Sequence, residues 1–432
     1  VLLTTNNRVK TKNKVKLAIL KELTRNSKDL YNKALYTIRE HFFSTKKYLP
    51  YKEVYNLLKS SEEYKKLPSN ASQQTLKQVD NAFKSFFELL KAKRQGKIED
   101  KPSIPKYLDK SGHFKVIYTK IHLKTMDNGY IRLALPKYIK ERYKVNYLYF
   151  KIPSHIQDKE IKEVHILPYK PYYKISFVYS DGDKNYNHYT TDDIMAIDLG
   201  IDNLATIVTR YDKPLILDGK SLKSKNRYFN KKISVLQSSI TKGKNSKEWE
   251  KESFKRLDVW YARRENYIID YLHKTATKII NIAIEKGIKT IAIGYNKKWK
   301  EKCNLGRKNN EKFLSIPHSH LLQYIKYKAA QHKIEVIEVE ESYTSKCDAL
   351  ALEKIQKHKT YLGKRIKRGL FQSSIGKLIN ADVNGALNIL RKSVACDSLI
   401  QEIAGRGLVF RPVRVYIHPY KPSHKRSPDY NL

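Results

Sequence analysis

Two short stretches in the second half of the chain decide the fold: MAIDLGIDNLATI at residues 195–207 and LINADVNGALNIL at residues 378–390. In the first, Asp198 stands inside an apolar run that is typical of a buried β-strand. In the second, Asp382 stands at the start of an amphipathic helix and shares one face with Ile389. A carboxylate that faces an apolar sheet is costly without a cationic partner. Two such aspartates, joined by a third acid, form the oxygen ligand set of a two-Mg²⁺ phosphodiester-cleaving site.

The composition points to a polyanionic partner. The chain has 86 Lys and Arg residues against 43 Asp and Glu residues, for a formal charge of +43, and the basic residues run along its whole length. This excess of about one charge per ten residues is more than solubility requires. Nucleic acid is the partner that such a field favours, and the 32 tyrosines supply rings on which bases can stack.

The compartment follows from what the sequence lacks. Three cysteines in 432 residues are too few and too scattered for a disulfide framework, which favours a reducing environment. No apolar run approaches the ~18 residues of a membrane span, and the N-terminus has no signal-peptide core. We therefore expect a cytoplasmic protein without a membrane partner.

The first half predicts helices followed by a small β-structure, both within a first domain at 1–190. Residues 14–95 are helical by periodicity, with an apolar stripe that includes Leu76, Val79 and Phe83. From about 113 to 180 the period changes to two, with a hairpin at Asp127-Asn128-Gly129 and a Tyr-rich strand near its end. We expect a small β-barrel there and a linker at 181–193.

The second half alternates strands and helices in the order of an RNase H-like fold, which we assign to a domain at 191–395. Three strands are followed by a basic helical stretch at about 221–286, a fourth strand, a helix, a fifth strand and a last helix. A basic loop at about 343–379 precedes that last helix. The remaining residues, 396–432, have the composition of a basic, flexible tail. The fold class is therefore α+β and multidomain.

These motifs resemble the TnpB family, the OrfB-type proteins encoded by insertion sequences and related to the type V CRISPR effectors. The resemblance covers essentially the full length and is strongest at 195–207 and 364–392. It implies a helical recognition region inserted in a wedge-like β-barrel, followed by a RuvC nuclease domain. It also implies an RNA-guided DNA endonuclease that binds a guide RNA and double-stranded target DNA, with Asp198 and Asp382 as the first and third RuvC carboxylates and two Mg²⁺ ions, or Mn²⁺, as cofactor.

The second carboxylate departs from the family pattern. The family places a glutamate at the end of the fourth strand, where this chain has Gly294. The fifth strand lies beside the fourth in an RNase H-like sheet, and Glu341 at its end shares the parity of apolar positions, whereas Glu340 has the solvent parity. A glutamate in this place is known in a branch of the family. We expect Asp198, Glu341 and Asp382 to be the catalytic metal ligands, with Glu301 as a second candidate for the middle acid.

The zinc site of many relatives is also missing. Their paired Cys-x-x-Cys knuckles are represented here by Cys347 alone, with His358 as its nearest possible helper. We predict that no zinc is bound and that leucine packing, including Leu350 and Leu362, holds the loop.

A basic run stands in the same loop and is expected to hold nucleic acid near the metals, although such a run is by default a solvated face. Its members are Lys364, Arg365, Lys367 and Arg368.

Two histidines and two other functions complete the expectations. His318 and His320 precede a helix and are interpreted as capping or surface residues. Gly294 favours a nuclease-inactive RNA-guided repressor as one alternative. The family's older name favours a transposase, or an accessory protein of transposition, as the other.

Overall fold

A computed structural model describes residues 2–181, 191–241, 251–296, 316–394 and 397–418. The chain divides into two compact units, Val1–Lys184 and Asn185–Leu432. Both units mix helices and strands, which confirms the α+β class. Within the described ranges, no helix has both the length and the apolar character that crossing a bilayer requires. Most of the predicted linker at 181–193 lies outside those ranges.

The helices of the first unit form where the periodicity predicts them. They span Lys14–Thr45, Tyr51–Leu58, Glu62–Lys65 and Ser69–Arg94, with a shorter helix at Lys137–Tyr143. Leu76, Val79 and Phe83 of the predicted stripe are buried, whereas Lys77 and Lys84 are exposed. The stripe is therefore core, and the lysines face solvent.

The predicted β-barrel is wrong in its closure. Over residues 2–181 the strands form an open four-stranded sheet and a separate three-stranded sheet. A 3₁₀ turn at Lys120–His122 carries the chain out of the first sheet, and the next three strands then pair with one another. The first sheet has the order β1 (Leu2–Arg8), β7 (Tyr172–Ser180), β6 (Ile161–Tyr169), β2 (Val116–Thr119), and the second the order β3 (Leu123–Thr125), β4 (Tyr130–Ala134), β5 (Tyr147–Lys151).

Two expectations about these sheets had different outcomes. The hairpin at Asp127-Asn128-Gly129 is confirmed, and Gly129 adopts the positive φ of 75° that its turn requires. The single Tyr-rich strand is instead a second hairpin, because the chain turns at Lys170 and Pro171 and Pro171 cannot donate a ladder hydrogen bond.

The second unit is built on a six-stranded sheet. We label its strands β8 (Thr191–Leu199), β9 (Asn203–Val208), β10 (Leu215–Asp218), β11 (Ile288–Gly294), β12 (Glu335–Val339) and β16 (Val413–Val415). Their order is β12-β11-β8-β9-β10-β16. The fifth predicted strand, β12, lies beside the fourth, β11, in parallel, so the RNase H-like order is confirmed.

Helices cover both faces of this sheet. The basic helical stretch is a pair of helices, Lys220–Thr241 and Lys251–Glu285, and the second of them packs with the helix His318–Gln331 against one face. The helix Ala381–Val394, which we call the Asp382 helix, packs against the other. Because side chains alternate along β8, Ile197 enters the first core and Ala196 the second.

The basic loop predicted at 343–379 contains regular structure. Three strands, β13 (Lys364–Lys367), β14 (Leu370–Gln372) and β15 (Leu378–Asn380), form a small antiparallel sheet. Leucine packing holds part of the segment before it, since Leu350 is buried in the core and Leu352 packs against that core, whereas Leu362 is 58% exposed. The fully buried carboxylate of Asp348 also holds this segment. It accepts hydrogen bonds from the backbone of Leu350, Ala351 and Ser374 and from the hydroxyls of Ser373 and Ser374, at 2.7–3.2 Å.

The predicted flexible tail is wrong for residues 397–418. Asp397–Gly405 is a helix that buries Ile400 and Ile403. Val413–Val415 then adds β16 to the edge of the main sheet, parallel to β10. Burial of this apolar surface and the strand hydrogen bonds outweigh the basic composition. Residues 419–432 lie outside the described residues.

The Asp348→Asn variant is expected to lower the free energy of unfolding by about 2–4 kcal/mol. The change keeps the shape but removes the charge and turns one acceptor oxygen into a donor that faces other donors. Asp397→Asn is the matched control, because Asp397 is 56% exposed and its loss should cost about 1 kcal/mol or less. Urea denaturation followed by circular dichroism measures both. Equal stability of the Asp348→Asn protein would contradict this account.

Candidate active site

Asp198 lies near the end of β8, in the middle of the sheet. It pairs with Thr206 of β9 on one side. On the other side Ile197 is level with Ile293 of β11, so Gly294 is the neighbour of Asp198. The first predicted ligand therefore faces the position at which the family carries its second glutamate.

Glu341 fills the space beside Gly294. The strand β12 ends at Val339, level with Gly294, and Glu341 follows two residues later. A methyl group on Gly294 would lie 2.9 Å from Oε1 and 3.0 Å from Cγ of Glu341. Glu341 is partly buried whereas Glu340 is exposed, as the parity predicts. The absent side chain at 294 is thus what leaves room for the carboxylate of Glu341.

Asp382 approaches the same place from the helix. Gly385, one turn later, lies against Asp198, and a methyl group on Gly385 would be 2.7 Å from Asp198 Oδ2. Ile389, a further turn on, packs over Gly294. Asp382, Gly385 and Ile389 therefore form the face of the helix that covers the ends of β8 and β11.

The three carboxylates share one electrostatic environment. Burial raises the pKa of Asp198 well above its usual range, and the charges of Glu341 and Asp382 raise it further, while Arg365 partly offsets them. Burial also raises the pKa of Glu341 to about 7. Among the described residues, no donor hydrogen-bonds the carboxylate of either Asp198 or Glu341. Both groups therefore favour a cation, which would supply the missing stabilisation.

This donor set fits a divalent cation of the Mg²⁺ type, which takes hard oxygen ligands. In the part of the chain that the structure describes, no group of three or more His, Cys, Asp and Glu side chains is already arranged around one metal position. Gly294 leaves space beside the backbone for the carboxylate of Glu341, and Gly385 leaves space for that of Asp198.

Two of the four predicted nucleic-acid-binding residues are tied to the site. Arg365 Nη2 lies 3.4 Å from Asp382 Oδ1, and Arg368 Nη2 lies 2.5 Å from Asp202, a residue that Lys223 also contacts at 2.6 Å. Lys364 and Lys367 are exposed on the same short strand. The basic run thus lies along the rim of the carboxylate site.

Sequence reasoning missed two residues that orient Asp382. Asn203 donates from Nδ2 to Asp382 Oδ2 at 2.6 Å, and its Oδ1 accepts from Arg414 Nη2 at 2.9 Å. Only this amide orientation satisfies both partners. Arg414 also binds the buried carboxylate of Asp218 at 2.9 Å. The asparagine inside the first motif was a usable signal, whereas Arg414 stands in a segment that was expected to be flexible.

His318 is not a capping or surface residue. It is buried, and its Nε2 lies 2.8 Å from the carbonyl oxygen of Gly200, just past the end of β8. His320 is exposed, as expected. His318 thus fixes the turn that follows Asp198.

The remaining candidates lie elsewhere. The alternative acid Glu301 falls outside the described residues. The thiol of Cys347 is buried against the carbonyl oxygens of Lys354 and Gln356, at 3.5 and 3.6 Å, and His358 bonds Lys354 O at 2.7 Å. The absence of zinc stays a prediction.

Known proteins match this architecture. A family model described as "Probable transposase", of the OrfB type, matches residues 177–300, and the "Cas12f1-like, TNB domain" model matches 318–389. The TnpB-like protein ORF457 of Acidianus two-tailed virus is 26% identical over 411 residues, which cover 87% of this chain and 83% of that protein. Over most of its length, the chain is therefore similar to a TnpB-like protein.

The fold is also similar to that of a solved structure. The cryo-EM structure of a Cas12f1–sgRNA–target DNA complex matches with a TM-score of 0.58 and 16% identity, over 86% of this chain and 82% of that chain. The likeness concerns the fold.

The Gly385→Ala variant should show weaker metal binding without loss of stability. The new methyl group must displace the Asp198 carboxylate, which should raise the Kd for Mn²⁺ by about tenfold or more. Alanine favours the helix by about 1 kcal/mol over glycine, which offsets the local crowding. Isothermal titration with Mn²⁺ and thermal unfolding of the metal-free protein measure the two effects.

The matched control is Gly405→Ala, because a methyl group at that helical position meets no atom within 4 Å. Its Mn²⁺ affinity should equal that of the wild type. Unchanged affinity in the Gly385→Ala protein would rule out Asp198 as a ligand in this arrangement.

Proposed function

We propose that this protein is a TnpB-type RNA-guided DNA endonuclease of an insertion sequence and that Asp198, Glu341 and Asp382 hold its metal ions. One observation carries the proposal: the carboxylate of Glu341 lies over Gly294, in the place where the family's glutamate would project. The relocated acid thus restores a third oxygen donor beside Asp198 and the Asp382 helix.

The chemistry is hydrolysis of a phosphodiester bond. Two Mg²⁺ ions, when bound, supply an activated water and stabilise the leaving 3′ oxygen. The three carboxylates bind the metal ions. Asn203 orients Asp382 by donating a hydrogen bond from Nδ2 to Oδ2 of Asp382. The side chain of Arg365 is 49% exposed, so it is accessible to a phosphate of the DNA strand, whose charge it would neutralise in place of that of Asp382. No side chain is required as a nucleophile.

Guide RNA and target DNA are the proposed partners. The formal charge of +43 suits two polyanions. The Cas12f1 relative was solved with sgRNA and target DNA. Base pairing with the guide would then provide sequence specificity, while the protein grips the backbones. Such a complex is expected to act in the cytoplasm, at the nucleoid.

A guided repressor is the second candidate, since Gly294 removes the usual acid. The purified protein with its guide RNA, incubated with a matching plasmid and Mg²⁺, separates the possibilities. Cleaved plasmid supports the nuclease. Guided binding without cleavage supports the repressor, and joined products would support a transposase.

The Glu341→Gln variant should lose at least about a hundredfold in cleavage rate, equivalent to about 3 kcal/mol of transition-state stabilisation. The amide is nearly isosteric but cannot carry the negative charge that a metal ligand needs here. Single-turnover cleavage of the matching plasmid measures the effect.

Glu340→Gln is the control for this variant, because it makes the same change one residue earlier on the exposed side. Its rate should stay within about twofold of the wild type, as surface changes usually do. Full activity of the Glu341→Gln protein would overturn the assignment, and a loss in Glu301→Ala would then identify the alternative acid.

Metal affinity should fall as the pH decreases through 7. The pKa of Glu341 is raised to about 7 and that of Asp198 is also raised, so both carboxyl groups take up protons in this range. Since metal ligands must be deprotonated, the affinity for Mg²⁺ or Mn²⁺ should drop roughly five- to tenfold between about pH 7 and pH 6 for each proton that must leave. Calorimetric titrations in buffers of different ionisation enthalpy also count the protons released.

In the Glu341→Gln protein this pH dependence should become shallower, whereas in Glu340→Gln it should stay the same. A metal affinity that is constant from about pH 6 to pH 8 would show that neither raised carboxyl group is a ligand.

A further inference from the structure

Lys392 bonds the backbone on both sides of Glu341. Its Nζ donates to the carbonyl oxygen of Glu340 at 2.8 Å and to that of Ser342 at 3.0 Å. Lys392 stands near the end of the Asp382 helix. One ammonium group therefore ties the connection that carries the second acid to the helix that carries the third.

This contact matters because Glu341 lies outside the sheet. The last ladder pairing of β12 is at Val339, whose carbonyl accepts from Tyr295 N at 2.9 Å. Beyond it, Thr344 bonds the carbonyl of Glu341 through its backbone N at 3.1 Å and its hydroxyl at 2.8 Å. An acid on a strand is held by its neighbours on both sides, whereas an acid on a connection needs other restraints.

The Asp382 helix supplies these restraints along a second face. Asn384, Asn388 and Lys392 are spaced by four residues and form one polar stripe. Asn384 bonds Ala349 N and Cys347 O at 3.0 and 2.9 Å. Asn388 donates to Thr344 O and Cys347 O at 2.9 and 2.8 Å. Successive side chains of the helix thus bind the whole segment after Glu341.

Lys392 acts on the backbone and not on the acid itself. Two of the three ammonium donors are used by the carbonyls of Glu340 and Ser342. The carboxylate of Glu341 is thereby fixed in place and yet left available to a cation.

We propose that Lys392 is a positioning residue for Glu341, setting the distance between the second and third carboxylates of the metal site. This inference rests on the proposed function, since it assumes that Glu341 is a ligand. The polar stripe of the helix replaces the sheet as the support of the relocated acid. A failure of the positioning role of Lys392 and a failure of the nuclease assignment can be told apart by measuring metal binding separately from cleavage.

The test is Lys392→Met, which keeps the aliphatic stem and removes both hydrogen bonds. The Kd for Mn²⁺ alone, measured by electron paramagnetic resonance on the full chain, should rise about tenfold or more, the usual effect of losing a group that orients a ligand. Cleavage with guide RNA should need more Mg²⁺ but approach the wild-type rate at saturation. A merely structural role would not produce this split.

Two further variants keep the test decisive. Lys326→Met removes an ion pair with Glu338 on the exposed side of β12, and it should leave the Kd for Mn²⁺ unchanged. Lys392→Arg can still donate to both carbonyls and should restore most of the affinity. The proposal is overturned if Lys392→Met binds Mn²⁺ as tightly as the wild type, or if Lys326→Met weakens binding equally. A wild-type protein that binds Mn²⁺ but does not cut would overturn the nuclease function alone.

Discussion

The repulsion among three buried or half-buried carboxylates is the interaction on which the rest of this site depends. Asp198, Glu341 and Asp382 lie close enough for the charges of the last two to raise the pKa of the first. Burial is the larger cause of the raised pKa of Asp198, since it withdraws the water that would otherwise stabilise and screen the charges. A folded chain tolerates such a cluster only if protons or cations are taken up there. The site is therefore built to bind positive charge before any reaction is considered.

The Asp382 helix answers this constraint with two different faces. One face, through Gly385 and Ile389, lies against Asp198 and Gly294. The other face, through Asn384, Asn388 and Lys392, bonds the connection that follows β12. A single rigid element thus fixes two of the acids and closes over the third. Because a helix moves as a rigid unit, a displacement at residue 392 also displaces residue 382.

Local sequence patterns predicted the positions of all three acids but few of the contacts that hold them. Asp198 and Asp382 stand in extended motifs, and the period of two along β12 separates Glu341 from Glu340. The bond from Asn203 to Asp382 joins residues 179 positions apart, and that from Lys392 to Glu340 joins residues 52 apart. Neither has a local signature. The barrel prediction was wrong for a similar reason, since periodicity identifies strands but not which strands pair.

The edge strand β16 shows the same limit. Its three residues carry no measurable period, and its partner β10 lies in a distant part of the chain. Composition alone favoured a flexible tail, and only the fold shows that Arg414 reaches Asn203 and Asp218. Segments that are short, basic and rich in proline can thus complete a sheet when the sheet itself provides the template.

The proposed relocation of the second acid from β11 to the connection after β12 has a geometric consequence. Any side chain at residue 294 must enter the space that Oε1 and Cγ of Glu341 now occupy. A glutamate at 294 and the present conformation of Glu341 are therefore mutually exclusive. A stepwise change from one arrangement to the other adds one acid before the other is lost. The intermediate that carries both acids must have both side chains displaced. Gly294 is accordingly part of the relocated site, and its lack of a side chain is as necessary to the position of Glu341 as the hydrogen bonds of Lys392.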